Sequence, residues 1–155
     1  MDKAQIDKFI QLLRKNELSI AALYETFATI FPTSRKDWLR YAEEERLHAK
    51  WINVLQDHMK DEKISFEQTK IASQAIRTSI DYIERQIQKA LESKIDLEHA
   101  LVIAIDIEKS LLESAFLRVF NFRHAKAERI QSRLLEATEL HKKRMIEWQK
   151  KIKTT

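Results

Sequence analysis

The sequence predicts an all-α chain built as a bundle of long helices. Its 155 residues include no glycine and a single proline, Pro32, so the tight turns and bulges of β structure have little to work with. Apolar residues recur three and four apart through nearly the whole chain, the period of helices buried along one face. Breaks near Pro32, Asp61 to Ser65, Ser93 to Asp96 and Asn121 to His124 divide it into five segments with no linker among them. Residues 1–155 therefore read as one domain, long enough to bury a core without disulfides.

The first helix is expected from about Asp2 to Phe31, where Pro32 restricts the residue before it. Its seam is Ile6, Ile10, Leu13, Glu17, Ile20, Tyr24, Phe27 and Phe31. The second begins with Thr33 or Ser34 as N-cap and carries Trp38, Tyr41, Glu45, His48, Ile52, Leu55 and Met59 on one stripe, antiparallel to the first across a short loop. A middle helix, about Phe66 to Glu92, has the stripe Ala72, Ile76, Ile80, Ile83, Ile87 and Leu91 with no ionisable residue on it, and reads as a covering or crossover helix. The fourth, about Asp96 to Phe120, carries Leu97, Leu101, Ala104, Glu108, Leu111, Ala115 and Val119. The fifth, about Ala125 to Ile152, carries Ile130, Leu134, Thr138, His141, Met145, Trp148 and Ile152.

Composition narrows the chemistry. The absence of cysteine excludes thiolate metal sites, iron-sulfur centres and disulfides, so any metal must sit on oxygen and nitrogen. The start, Met1-Asp2-Lys3-Ala4-Gln5, has neither the basic nor the apolar region of a signal peptide, and no stretch approaches the roughly 18 apolar residues of a membrane span. A cytoplasmic location is the resulting expectation. The net charge of +4 comes from 28 basic and 24 acidic residues that are interspersed except at the basic end, Lys142, Lys143, Arg144, Lys150, Lys151 and Lys153. Such a balance reads as a solvated helix face, and neither nucleic acid nor membrane is expected as a partner.

Four of the stripes carry a titratable residue where an apolar one is expected: Glu17, Glu45 with His48, Glu108, and His141. Withdrawing an ionised carboxylate from water costs several kcal/mol unless it is paired, and no lysine or arginine stands on these stripes at that level. A bound metal is the more economical source of compensating charge. Carboxylate oxygen and neutral imidazole suit iron or manganese, and Glu and His three apart on a helix point to one side, so one turn supplies two ligands. Tyr24, seven residues after Glu17, lies on the same face, where its hydroxyl can support a ligand. His58 and His99 fall off their seams and His124 sits at a turn, so these read as surface residues. Trp38 and Trp148 read as core anchors in preference to electron relays.

Taken together, Glu17-x6-Tyr24, Tyr41-Ala42-Glu43-Glu44-Glu45-Arg46-Leu47-His48-Ala49, Ala104-Ile105-Asp106-Ile107-Glu108-Lys109-Ser110 and Leu135-Glu136-Ala137-Thr138-Glu139-Leu140-His141 resemble the ferritin and rubrerythrin superfamily. The resemblance implies a ferritin-like four-helix bundle of two helix pairs, with the middle helix as an addition in the crossover between the second and third core helices. It also implies a di-iron carboxylate site, with Glu17, Glu45 and His48 as one half and Glu108 and His141 as the other; manganese or zinc are alternatives to iron. Implied with it are an oxidoreductase acting on peroxide or dioxygen, or oxidising ferrous iron, an electron donor the sequence does not identify, and self-association as a dimer or larger homo-oligomer. Phe116, Phe120 and Phe122 are available for such a contact or for closing the core.

The chain departs from the family pattern at Thr138, where a glutamate would stand three residues before His141. Glu139 and Glu136 point elsewhere around the helix. The cysteines of a rubredoxin-type domain are also absent. Two divalent ions then meet three carboxylates in place of four, and the other reading is a non-catalytic binding or scaffold bundle with a degenerate site holding one metal or none.

Overall fold

The computed structural model describes residues 2–59, 66–113 and 122–154, and these are all-helical, with no strand among them. Five α-helices follow in order: α1 Lys3–Ile30, α2 Arg35–Asp57, α3 Phe66–Leu91, α4 Leu97–Glu113 and α5 Ala125–Lys153. No described helix is long and apolar enough to cross a membrane. Ala115, Phe116, Val119 and Phe120, and the expected break at 61–65, lie outside the described residues, whereas Phe122 is half-buried against the core.

Local chemistry sets the helix ends. Asp2 caps α1 by accepting from the Gln5 backbone at 2.8 Å while the Gln5 side chain returns to the Asp2 N–H at 3.1 Å, a reciprocal capping box. Pro32 opens a single 3-10 turn, Pro32–Ser34, between α1 and α2. Ser34 holds the N-cap position of α2, but its hydroxyl donates back to the Phe31 carbonyl and makes no capping bond. With no glycine available, Ser93 takes the left-handed position after α3, at φ 57°, and Lys94 N–H donates to the Lys89 carbonyl across it. Asp96 then caps α4 through the His99 N–H at 2.8 Å.

Packing is pairwise. α1 lies against α2 and α3, α4 against α5, and α5 also against α2. The pairs Asp7 with Gln56, Glu17 with His48 and Glu25 with Arg46 run in opposite senses along α1 and α2, which makes them antiparallel. Glu98 with Lys153 and Glu108 with His141 make α4 and α5 antiparallel too. The seams of α1 and α2 are buried as expected, apart from a half-buried Phe31. On α3 the inner line turns after Ile83: Gln86 and Ala90 are buried, Ile87 is half-buried and Leu91 is exposed. The polar side of that helix meets α1 through a Ser79 hydroxyl that donates to Asn16 Oδ1 at 2.9 Å.

Candidate metal centre

Glu17 comes from α1, Glu45 and His48 from α2, Glu108 from α4 and His141 from α5, so four helices converge on one level of the core. All five side chains are buried. They form two groups of three, Glu17 with Glu45 and His48, and Glu45 with Glu108 and His141, the ligand atoms of each lying within 4.8 Å of one another. Glu45 belongs to both.

One carboxylate thus faces two ways. His48 Nδ1 lies 3.0 Å from Glu45 Oε2 and 3.5 Å from Glu17 Oε2. His141 Nδ1 lies 2.8 Å from Glu45 Oε1 and 3.4 Å from Glu108 Oε1. A tetrahedral ion with bonds of about 2.1 Å holds neighbouring ligand atoms about 3.4 Å apart, close to these separations. The two imidazoles stack with centroids 5.2 Å apart and planes 24° from parallel.

Three atoms of the second group, Glu45 Oε1, Glu108 Oε2 and His141 Nδ1, are buried without a hydrogen-bond partner, although His141 Nδ1 and Glu45 Oε1 lie 2.8 Å apart. Leaving a buried polar atom unsatisfied costs about 1–3 kcal/mol, and more for a charged group. Lone pairs that converge without bonding one another suit an ion between them, so the donor set fits a metal.

The electrostatics say the same. Burial, with the charge of Glu45 adding to it, pushes Glu108 up to about 7 against the pull of His141. Burial likewise pushes Glu17 up to about 8 despite His48. Burial would raise Glu45 as well, but His141 and His48 outweigh it and hold that carboxyl well below its usual range. The imidazoles respond in kind: burial opposes their charge, yet Glu17 and Glu45 push His48 up to about 10, and Glu108, Glu44 and Glu45 push His141 up to about 12. The cluster retains protons where these side chains ordinarily lose them, which is how a ligand set behaves when protons occupy the place of cations.

Two further side chains hold the ligands from outside. The buried Tyr24 hydroxyl donates to Glu108 Oε1 at 2.8 Å. Burial first, and then the charge of Glu108, raise this phenol well above its ordinary value. Glu44, which sequence reasoning missed, has Oε2 at 2.5 Å from His141 Nε2 and Oε1 at 3.6 Å from Arg144 Nη1. A proton held between Nε2 and Glu44 leaves Nδ1 free to face the centre, a carboxylate-histidine arrangement that fixes tautomer and ring orientation. The available signal was the acidic run Glu43-Glu44-Glu45, in which the residue beside the core ligand lies on the flank toward α5.

Thr138 is buried, and its hydroxyl donates to the Leu134 carbonyl at 2.8 Å, back onto its own helix. It therefore offers the centre no donor in this arrangement. Glu136 and Glu139 are exposed, the latter paired with Lys142 at 3.1 Å. Of the remaining histidines, His99 and His124 are exposed, while His58 is half-buried and stacks on His124 at 4.7 Å. The surface reading of His58 holds only in part.

No family model, curated protein or solved structure matches this chain.

Proposed function

We propose that this chain is a metal-binding helical bundle of the ferritin-like kind, holding two divalent ions, iron foremost, with manganese or zinc as alternatives. One observation carries the reading: two buried ligand groups share Glu45, and in the group around His141 three ligand atoms lack hydrogen-bond partners. Glu17, Glu45 and His48 would hold one ion, and Glu45, Glu108 and His141 the other. The pairing of α1 with α2 and of α4 with α5, with α3 set against α1, supports two core helix pairs and an added helix in the crossover.

Iron bound there supplies one-electron redox chemistry and Lewis acidity toward a small oxidant, a peroxide or dioxygen, or is itself the ferrous substrate oxidised. The chain's own part is to hold it. Glu45 brings the two positions together, Glu44 aims His141, Tyr24 fixes Glu108, and the surrounding apolar side chains keep bulk water from the ligands.

The test is anaerobic loading of the metal-free protein with ferrous iron, counting bound iron per chain, alongside Glu45→Ala. Two ions in the parent and none in the variant are expected. Peroxide and dioxygen turnover are then measured on the loaded protein. A parent that takes up no iron, manganese or zinc would overturn the proposal. A second reading, a non-catalytic bundle that keeps one ion, is favoured by the Thr138 hydroxyl turned onto Leu134, and one ion per chain without turnover would select it.

A further inference from the structure

We propose that the cleft between α3 and α4 is a binding site for a small zwitterion, an α-amino acid with an apolar side chain. The cleft has a volume of about 850 Å³, within the range of small-molecule sites. Ser79, Tyr82 and Arg85 line it from α3, and Asp106, Ile107 and Leu111 from α4. It lies apart from the metal centre: Asp106, two residues before Glu108, is exposed on the outer side of α4, whereas Glu108 is buried in the core.

Three features select the ligand. The first is charge. Arg85 and Asp106 line the cleft from opposite walls, and neither forms an ion pair among the described residues; Lys109, which also lines it, has an interaction of its own. The Tyr82 phenol lies within the field of both: burial raises it first, the charge of Asp106 raises it further, and that of Arg85 opposes them. A guanidinium and a carboxylate held apart on two walls are complementary to a molecule with a carboxylate and an ammonium group on one carbon. The guanidinium takes the carboxylate through two parallel N–H bonds, and Asp106 accepts from the ammonium. The second feature is the floor, where Ile107 and Leu111 are buried and suit an aliphatic or aromatic side chain. The third is the wall at Ser79, which is polar through to the core. Its hydroxyl donates to Oδ1 of the fully buried Asn16, whose Nδ2 has no hydrogen-bond partner. With its hydrogen given to Asn16, the Ser79 oxygen is left as an acceptor that an ammonium group can use. Burying an amide with a donor unsatisfied is unfavourable, so packing alone does not explain this wall; Ile76, Ile80 and Ile83 do the sealing on the inner side of α3.

The test uses the metal-free full chain, isotope-labelled, with the backbone amide resonances of α3 and α4 followed as L-leucine, L-methionine or L-phenylalanine is added to millimolar concentration. At least one of them should shift the amides around Arg85 and Asp106 saturably. The matching acid without the ammonium group and the matching amine without the carboxylate, isocaproate and isopentylamine in the case of leucine, should bind at least about tenfold more weakly, the loss expected for one charge-assisted pair. Arg85→Gln and Asp106→Asn, at exposed positions that leave the core intact, should each weaken the amino acid about tenfold. Arg85→Gln should leave the amine unchanged and Asp106→Asn the acid, which assigns each residue to its end of the ligand. Glu136→Gln, exposed on α5, should change nothing. The absence of a saturable shift on α3 and α4 with all three amino acids would overturn the proposal. So would an acid that binds as tightly as its parent amino acid, which would make the cleft a site for anions alone, or unchanged binding in both cleft variants. Since no metal is present, the cleft and the metal centre can fail independently.

Discussion

The two halves of the centre are built from the same ligand types, yet they are held in different ways. Around His48 the ligand set comes from adjacent antiparallel helices, with Glu17 on α1 facing Glu45 and His48 on α2. Around His141 it is gathered from α2, α4 and α5, and the buried Thr138, three residues before His141, turns its hydroxyl back onto its own helix. Among the described residues the outer hydrogen bonds are on the His141 half, from Glu44 behind the imidazole and Tyr24 behind Glu108, whereas His48 is backed by the stacked ring of Trp51 at 5.3 Å. The His141 half also contains the three partnerless atoms of the centre. On the proposed reading the His141 half is short of one charge and depends more on outer residues to orient what remains, so the two halves should respond unequally to mutation.

The largest expected effect separates them directly. Glu17→Ala should remove the ion on the His48 side and Glu108→Ala the ion on the His141 side, each lowering bound metal from two per chain to one in equilibrium dialysis. Removal of both ions by either change would mean that the positions fill only together. Next in size is Glu44→Gln, which keeps the shape but weakens the hold on His141. The ion on that side should bind about 10- to 100-fold more weakly, as for other residues that orient a metal-bound histidine, while the His48 side is unaffected. Equal affinities before and after would reduce Glu44 to a surface contact of His141.

Acidity sharpens the comparison further. Glu108 and Glu17 titrate near 7 and 8 in the metal-free fold, above the ordinary 4.5, so both tend to hold protons that a metal must displace. Apparent metal affinity should rise with pH through 7 and 8, and binding in weak buffer should release protons. The sign for stability follows from the same shifts. A carboxyl raised by the fold opposes ionisation, so stability falls as pH rises from 4.5 toward the folded values; raised histidines stabilise below their unfolded value of 6.5 and lose that contribution toward 10 and 12. Both act in one direction. The metal-free protein should melt at progressively lower temperature from pH 6 to about 9, and loading with zinc should flatten that slope. A metal-free melting temperature that climbs across this range would contradict the assignment of protons to the cluster.

Helix number and the inner residues of α1, α2 and α5 were legible because period and composition agree: with no glycine and one proline, the spacing of three and four runs on from turn to turn along each of these helices. Glu17, Glu45, His48, Glu108 and His141 were legible for a related reason. Each interrupts a seam, and an interruption is visible only against a regular background. Glu44 was not visible in that way, since it lies off the seam and its partner is 97 residues further on. The turn of α3 after Ile83 was equally hidden, because Gln86 and Ala90 are weak apolar signals beside Ile87 and Leu91. Periodicity identifies what faces inward on one helix; it carries no information on which flank meets a neighbour.

The smallest expected effect comes from Thr138→Val, and it bears on the reason the halves differ. The hydroxyl makes one bond to the carbonyl of its own helix four residues back, a bond worth about 1 kcal/mol net or less at a position already inside a helix. Valine keeps the shape, so the melting temperature should move by no more than a few degrees and metal binding should be unchanged. Thr138→Glu at the same position supplies the absent carboxylate, and should strengthen the His141-side ion while leaving the other alone. The pair of substitutions isolates charge from shape. If valine alone weakens the second ion, then the threonine oxygen takes part in holding it, directly or through water, and the His141 half is not short of a donor but uses a neutral one. If neither change alters binding, the missing carboxylate is not what distinguishes the halves, and the difference has to lie in the helices that carry them.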